Sequence, residues 1–259
     1  MEFDDFVIKK DPPIGLLGIN RPELKNALSL EMWRAFPSAL AELHQDRDIR
    51  IVVLYGCEGN FTSGHDIREL LQMGSRQGAE IFQTSIEGSI RALEMAPIPV
   101  IAMVDGYALG SGYFLALGCD LRVASDRAIL GLPLGRLGIM FGTVLTRRLV
   151  LQMGLAGTAE LLLTGRLLGA KEAKEMGLIN QVYPSDKLLE MTLGLADEIV
   201  CNAPLTIWAA KQTLKRCRPG WTAPWEVEEE PFVKCFTSKD FQEGVRAFLR
   251  KDAPRFEGR

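Results

Sequence analysis

Two glycine-bearing turns, TSGHDI (62–67) and ALGSGY (108–113), each follow an apolar run and lead into a helix-like segment. This recurrence restricts the fold more than any other feature. A strand that ends in glycine and opens a helix leaves unbonded backbone N–H groups at the positive end of the helix. The run before the first turn is IRIVVLYG (49–56), and PVIAMVDG (99–106) precedes the second. A third apolar strand, LRVASD (121–126), leads into the irregular AILGLPLGRLGIMFG (128–142). The repetition predicts a mixed α/β fold of stacked ββα turns rather than a simple doubly wound sheet.

The rest of the chain fits around these units. FDDFVIKKDPPIGLLGINRPE (3–23) reads as a β-hairpin punctuated by Pro and Gly. Ser29 is a plausible N-cap for a helix carrying Leu30, Trp33, Leu40 and Leu43 at helical spacing, and Pro37 is expected to kink it. Residues Gln72 to Met95 read as an amphipathic helix. TRRLVLQMG, GTAELLLTG and GAKEAKEMG read as short helices ended by glycine. LINQVYP (178–184) is extended, and helices are expected over 186–202, 205–217 and 239–251. The expected division is a ββα core over 1–177, binding the substrate, and a helical region over 178–259.

Composition removes several function classes. The 259 residues are 47% hydrophobic and 24% charged, an ordinary globular balance. With 30 basic and 33 acidic residues the net charge is −3, which gives no basic field for nucleic acid. No apolar run is long enough to span a bilayer. The acidic start, MEFDDFVIKKD, does not read as a signal or transit peptide. Five scattered cysteines without a CxxC fit reduced thiols in a cytoplasmic protein. With two histidines, His44 and His65, a His-rich metal site is excluded, and a Ser-His-Asp triad would have to use one of them. There is no P-loop, and LGSGY misses the GxSxG nucleophile elbow by one glycine.

Two N–H groups converging from the glycine turns would form an oxyanion hole, each donor supplying about 3 kcal/mol of transition-state stabilisation. Ordinary tight turns have the same composition, so the turns alone leave both readings open. "NRPELKNALS", "FTSGHDI", "PVIAMVDGYALGSG", "LTGRLLGAKEAKEMGLIN" and "FQEGVRAFL" occur in this order over Asn20 to Phe256. Together they resemble the crotonase, or enoyl-CoA hydratase/isomerase, superfamily. That resemblance implies a spiral of ββα turns with a C-terminal helical trimerisation region, assembled as a homotrimer or hexamer. It also implies an acyl-CoA thioester as substrate, with no separate cofactor and no metal.

Carried onto this sequence, the resemblance makes the backbone N–H groups of His65 and Ser111 the two oxyanion donors, with Gly110 beside the second. The imidazole of His65 is then incidental, lining the pocket or tuning selectivity. Arg21 and Lys25 would lie near the CoA phosphates, and Ala27, Ser63, Asp66 and Ile67 along adenine and pantetheine. Serine stands where the family has the middle glycine of a GGG run. The two water-activating glutamates of the hydratases fall on Phe114 and Leu134, so ordinary hydration loses its acid–base groups. Glu87, on the helix before PVIAMVDG, is the candidate replacement, with Arg136 as a carboxylate anchor and Tyr113 as a hydroxyl donor. The GHDI form of the first turn also resembles methylmalonyl-CoA decarboxylases, although the tyrosine expected there is Phe141. A catalytically silent CoA-binding subunit is the reading from a different class. RNA binding is disfavoured because RELLQMGSRQGAEIF carries few basic residues.

Overall fold

A computed structural model describes residues 5–217 and 231–259; the first two residues of the expected hairpin lie outside them. The hairpin forms as β1 (Phe6–Asp11) and β2 (Ile14–Ile19), antiparallel in full register from Phe6 opposite Ile19 to Asp11 opposite Ile14. From β2 the sheet continues in parallel through β3 (Ile51–Gly56), β4 (Val100–Val104), β6 (Leu121–Ser125) and β9 (Gln181–Tyr183). Parallel strands are covered on both faces and therefore read as continuous apolar runs. In β3, Val52 and Leu54 enter one core, which holds residues of α1 (Leu30–His44) and α3 (Arg76–Met95). Ile51 and Val53 enter the other, with Leu188 and Ala196 of α7 (Leu188–Val200).

A second sheet of three short strands, β5 (Tyr107–Leu109), β7 (Ile129–Gly131) and β8 (Leu167–Gly169), receives the chain as it leaves the first. β4 turns a corner at Asp105–Gly106 into β5, which runs into α4 (Ser111–Gly118). β6 passes in the same way into β7 and then α5 (Thr143–Thr164). These are the repeated ββα turns read from the sequence. β9 pairs with β6 beyond residue 177, so the sheet crosses the boundary expected there.

Local chemistry explains the helix limits. Ser29 Oγ accepts from Met32 N at 3.2 Å and caps α1, as expected. α1 nevertheless runs through Pro37 as one helix. The proline removes a donor, and the hydroxyl of Ser89 in α3 supplies a replacement, donating to the Trp33 carbonyl at 2.6 Å. α5 spans two of the expected short helices, which meet at Gly154 with φ 75° and ψ 170°. The expected helix over 72–95 begins instead at Arg76, capped by Ser75 Oγ, after α2 (Ile67–Leu70) and a 3-10 turn at Leu71–Met73. α6 (Ala170–Glu175), α7 and α8 (Pro204–Arg216) follow the sequence reading. α9 (Pro231–Phe236) precedes α10 (Lys239–Arg250) and was not anticipated.

Lys211 of α8 ties the C-terminal helices to the core. Its buried Nζ meets Asp120 Oδ2 at 2.7 Å and the Ile98 carbonyl at 2.9 Å, so the charge enters the interior already paired. Among the described residues no helix is long and apolar enough to cross a membrane.

Candidate active site

Backbone hydrogen bonds lace the two glycine turns together. Thr62 N donates to the Tyr107 carbonyl at 2.8 Å, and Leu109 N donates to the Thr62 carbonyl at 3.1 Å. The first turn is also stitched to the loop after β2: Leu28 N donates to Gly64 O at 2.8 Å, and Asp66 N to Leu28 O at 2.9 Å. In this parallel pairing the peptide groups of Gly64 and Asp66 face Leu28, so the N–H of His65 is directed to the opposite side.

Glycine is required where the turns touch. Gly64 has φ +102°, and a Cβ there would lie 2.7 Å from the Leu109 carbonyl oxygen. A Cβ on Gly112 would lie 2.5 Å from Thr62 Cγ2 and 2.9 Å from Thr62 O. Gly110 takes the left-handed φ of +57°. These glycines leave Ser111 in ordinary helical conformation as the first residue of α4, where its N–H belongs to the helix's unbonded N-terminal set. Serine is therefore accommodated at this place without backbone strain.

A cavity of about 350 Å³ opens against both turns. Of the residues singled out from sequence, Ala27, Ser63, His65, Asp66, Ile67, Gly110, Ser111, Leu134 and Phe141 line it. Arg21 and Lys25 sit on the adjoining loop. Arg21 Nη1 donates to the Ala27 carbonyl at 3.1 Å, and Nη2 stands 3.6 Å from Asp66 Oδ2; Lys25 Nζ lies 4.9 Å above the Tyr107 ring. Asp66 itself caps α2 by accepting from Arg68 N at 3.1 Å.

The walls are apolar and aromatic. The His65 ring meets Phe82 edge-on with centroids 4.7 Å apart, Phe82 stacks on Phe141 at 6.4 Å, and Phe141 meets Phe114 edge-on at 5.0 Å. Phe114 is fully buried behind this row and Leu134 forms part of the wall, so neither place offers a carboxylate. Tyr113 is fully buried in packing, and burial raises its hydroxyl pKa. Arg136 is exposed and outside the cavity lining.

Glu87, the candidate acid–base group, is not among the residues that line the cavity. It lies half-buried on α3, where Gln83 Nε2 donates to its carboxylate at 2.9 Å, and Phe82 is the α3 residue that reaches the site. Sequence reasoning also missed Leu24, Leu109, Leu137 and Ile139 in the lining, and Glu69 beside it. For Glu69 a signal existed, since His65 and Glu69 are four residues apart at a helix start.

The imidazole of His65 is the unusual group. Its side chain is 3% exposed, and neither ring nitrogen has a hydrogen-bond partner among the described residues. Nε2 stands 3.5 Å from Glu69 Oε2, an oxygen held in place by Leu30 N at 2.7 Å. Burial lowers the imidazole pKa below its ordinary value, opposed by the nearby charges of Glu69 and Asp66. Among the described residues no group of three or more His, Cys, Asp or Glu side chains is placed to hold a metal.

Known proteins share this architecture over the whole chain. The enoyl-CoA hydratase/isomerase family model matches residues 10–259. The short-chain-enoyl-CoA hydratase of Clostridium acetobutylicum is 32% identical over 97% of both chains. The 2,3-dehydroadipyl-CoA hydratase of Escherichia coli is 33% identical over 98% of this chain and 99% of its own. The crystal structure of an enoyl-CoA hydratase from Bacillus anthracis superposes with a TM-score of 0.89 at 30% identity, covering 99% of this chain and 100% of that one. With the laced glycine turns and the spiral that carries them, these matches show that the chain belongs to the enoyl-CoA hydratase/isomerase family, the crotonase superfamily.

Proposed function

We propose that this acyl-CoA enzyme holds a thioester carbonyl between the N–H groups of His65 and Ser111 and stabilises the enolate formed from it. Loss of CO2 from a malonyl-type acyl-CoA is the reaction favoured over hydration of an enoyl-CoA. The observation that carries this reading is the apolar wall, with Leu134 in the lining and Phe114 behind Phe141, since Phe114 and Leu134 hold the places where hydration would need carboxylates. Decarboxylation asks less of the walls. The C–CO2 bond breaks, its electron pair moves into the enolate, the two donors hold the oxyanion, and a proton then returns to carbon. An apolar wall also disfavours the ionised carboxylate of the ground state relative to the departing neutral CO2.

The CoA portion is assigned to the loop of Arg21, Lys25 and Ala27 and to Ser63, Asp66 and Ile67. CoA enters as part of the substrate, and no other cofactor is invoked. The assembly is a cytoplasmic homotrimer or hexamer, a reading supported by the exposed apolar side chains of the C-terminal helices, among them Phe232, Phe248 and Leu249. The two regions, 1–177 and 178–259, then divide substrate binding from assembly.

A panel of crotonyl-CoA, a 3-enoyl-CoA and methylmalonyl-CoA tests the chemistry. Turnover of methylmalonyl-CoA with little hydration of crotonyl-CoA is expected. Brisk hydration with no decarboxylation overturns the preference. Tight CoA binding without turnover of any thioester favours a silent binding subunit, the reading left open by the missing glutamates.

A further inference from the structure

The cavity has two unlike sides. On one, Ser63 ties the first turn to the loop after β2, its N–H donating to the Lys25 carbonyl and its hydroxyl to the Leu24 carbonyl at 3.3 Å. On the other, Gly110 N donates to the Gly131 carbonyl at 2.9 Å, and the chain that follows β7 supplies Leu134 and Phe141 to an apolar wall completed by Phe82. Phe141 closes that wall. Phe82 stacks on it at 6.4 Å, and Phe114 meets it edge-on at 5.0 Å from behind. Phe114 is fully buried and takes no part in the lining, so the Phe141 ring stands between the cavity and the core. The backbone holds the ring there as well. Gly142 is the N-cap residue of α5, and a Cβ on it would lie 2.7 Å from Gln83 Nε2, so the chain beside Phe141 is drawn close against α3.

We infer that Phe141 sets the length of the acyl group and restricts the substrate to short thioesters, of propionyl or butyryl size. This rests on the placement of the thioester proposed above and deepens it by naming the acyl class. Phe114 lies three residues after Ser111 on α4, and helical side chains lean toward the helix N-terminus. An acyl group whose carbonyl is held at the Ser111 N–H therefore runs toward the Phe114 side and meets Phe141 first. A longer chain has to drive Phe141 into Phe114, and a close-packed interior resists that insertion. Malonyl and methylmalonyl groups fall within the same limit. The competing path is an exit past Leu137, which lines the cavity and is 47% exposed.

The test is the affinity of CoA and of acetyl-, propionyl-, butyryl-, hexanoyl- and octanoyl-CoA for the wild type, Phe141→Leu and Phe141→Ala, measured by calorimetry. In the wild type, affinity is expected to rise to propionyl- or butyryl-CoA and to fall by about tenfold at hexanoyl-CoA. Phe141→Ala should raise hexanoyl-CoA affinity relative to propionyl-CoA by about tenfold. Phe141→Leu keeps an apolar side chain in place, so it should fold where alanine fails and shift the preference the same way by less. Affinity that climbs with each methylene through octanoyl-CoA in the wild type overturns the inference, because the chain then has an exit, and leaves the backbone donors standing. A length preference unchanged in both variants, or a loss equal for every thioester, also overturns it, since a purely structural residue behaves in that way. A wild type that binds no acyl-CoA at all overturns the thioester reading, and this inference with it.

Discussion

The two turns that meet at the cavity open very different helices. α4, beginning at Ser111, buries all eight of its residues. α2, after Asp66, is four residues long, buries none of them completely, and leaves Ile67 58% exposed, with Leu71 beyond it 88% exposed. One proposed donor is therefore placed by the core and the other by hydrogen bonds to neighbouring loops. The difference teaches where variation is tolerated. A side chain changed on α4 disturbs packing on every side, whereas Ile67 and Leu71 after the first turn can change with little effect on the core.

Equal truncations on the two helices give the largest contrast. Phe114→Ala should lower unfolding free energy by about 3–5 kcal/mol, while Ile67→Ala should stay within about 0.5 kcal/mol, both read from urea melts. Similar losses would break the comparison. Ser111→Pro comes next, because proline is compatible with the first position of a helix and removes only the N–H. The fold should persist, and turnover should fall by about 10²-fold, near 3 kcal/mol; unchanged turnover would remove Ser111 as a donor. Gly64→Ala should cost about 1–3 kcal/mol, since φ +102° and the Leu109 carbonyl both oppose a Cβ. A melting temperature equal to wild type would show that the first turn is not held as described.

The smallest effect follows pH. Burial places the His44 and His65 pKa values below the ordinary histidine value in the folded chain, with Lys211 adding to the effect at His44. The unfolded state therefore binds more protons just below about pH 6.5. The histidine contribution to stability is complete above that pH and declines as pH falls toward the folded-state values. His65→Asn should flatten part of the slope of stability against pH between 7.5 and 5.5, and an identical slope would contradict the burial assigned to the ring.

Much of the fold was legible because it is written in runs and glycines. The hairpin, the three apolar strands and the helix-ending glycines each occupy enough residues to show a pattern. β5, β7 and β8 did not, since three residues are too few for alternation to stand out. In the site, the two turns proposed to carry the donors could be located because Gly64, Gly110 and Gly112 mark the main chain's path. The walls could not. Phe82 and Glu87 are five residues apart on one helix, about 140° apart around its axis. Only the packing of α3 decides which of them reaches the cavity, and it is Phe82. The imidazole's isolation was equally hidden, because it depends on what fails to surround it.

The bond between Ser89 and the Trp33 carbonyl also bears on the wall of the cavity. Phe82 lies seven residues before Ser89 on α3, close to two turns away and on nearly the same face. The hydroxyl that fills the gap left by Pro37 thus joins α3 to α1 two turns from the aromatic wall. A defect in one helix is mended by the very helix that carries the wall of the cavity, so the two are coupled through a single carbonyl.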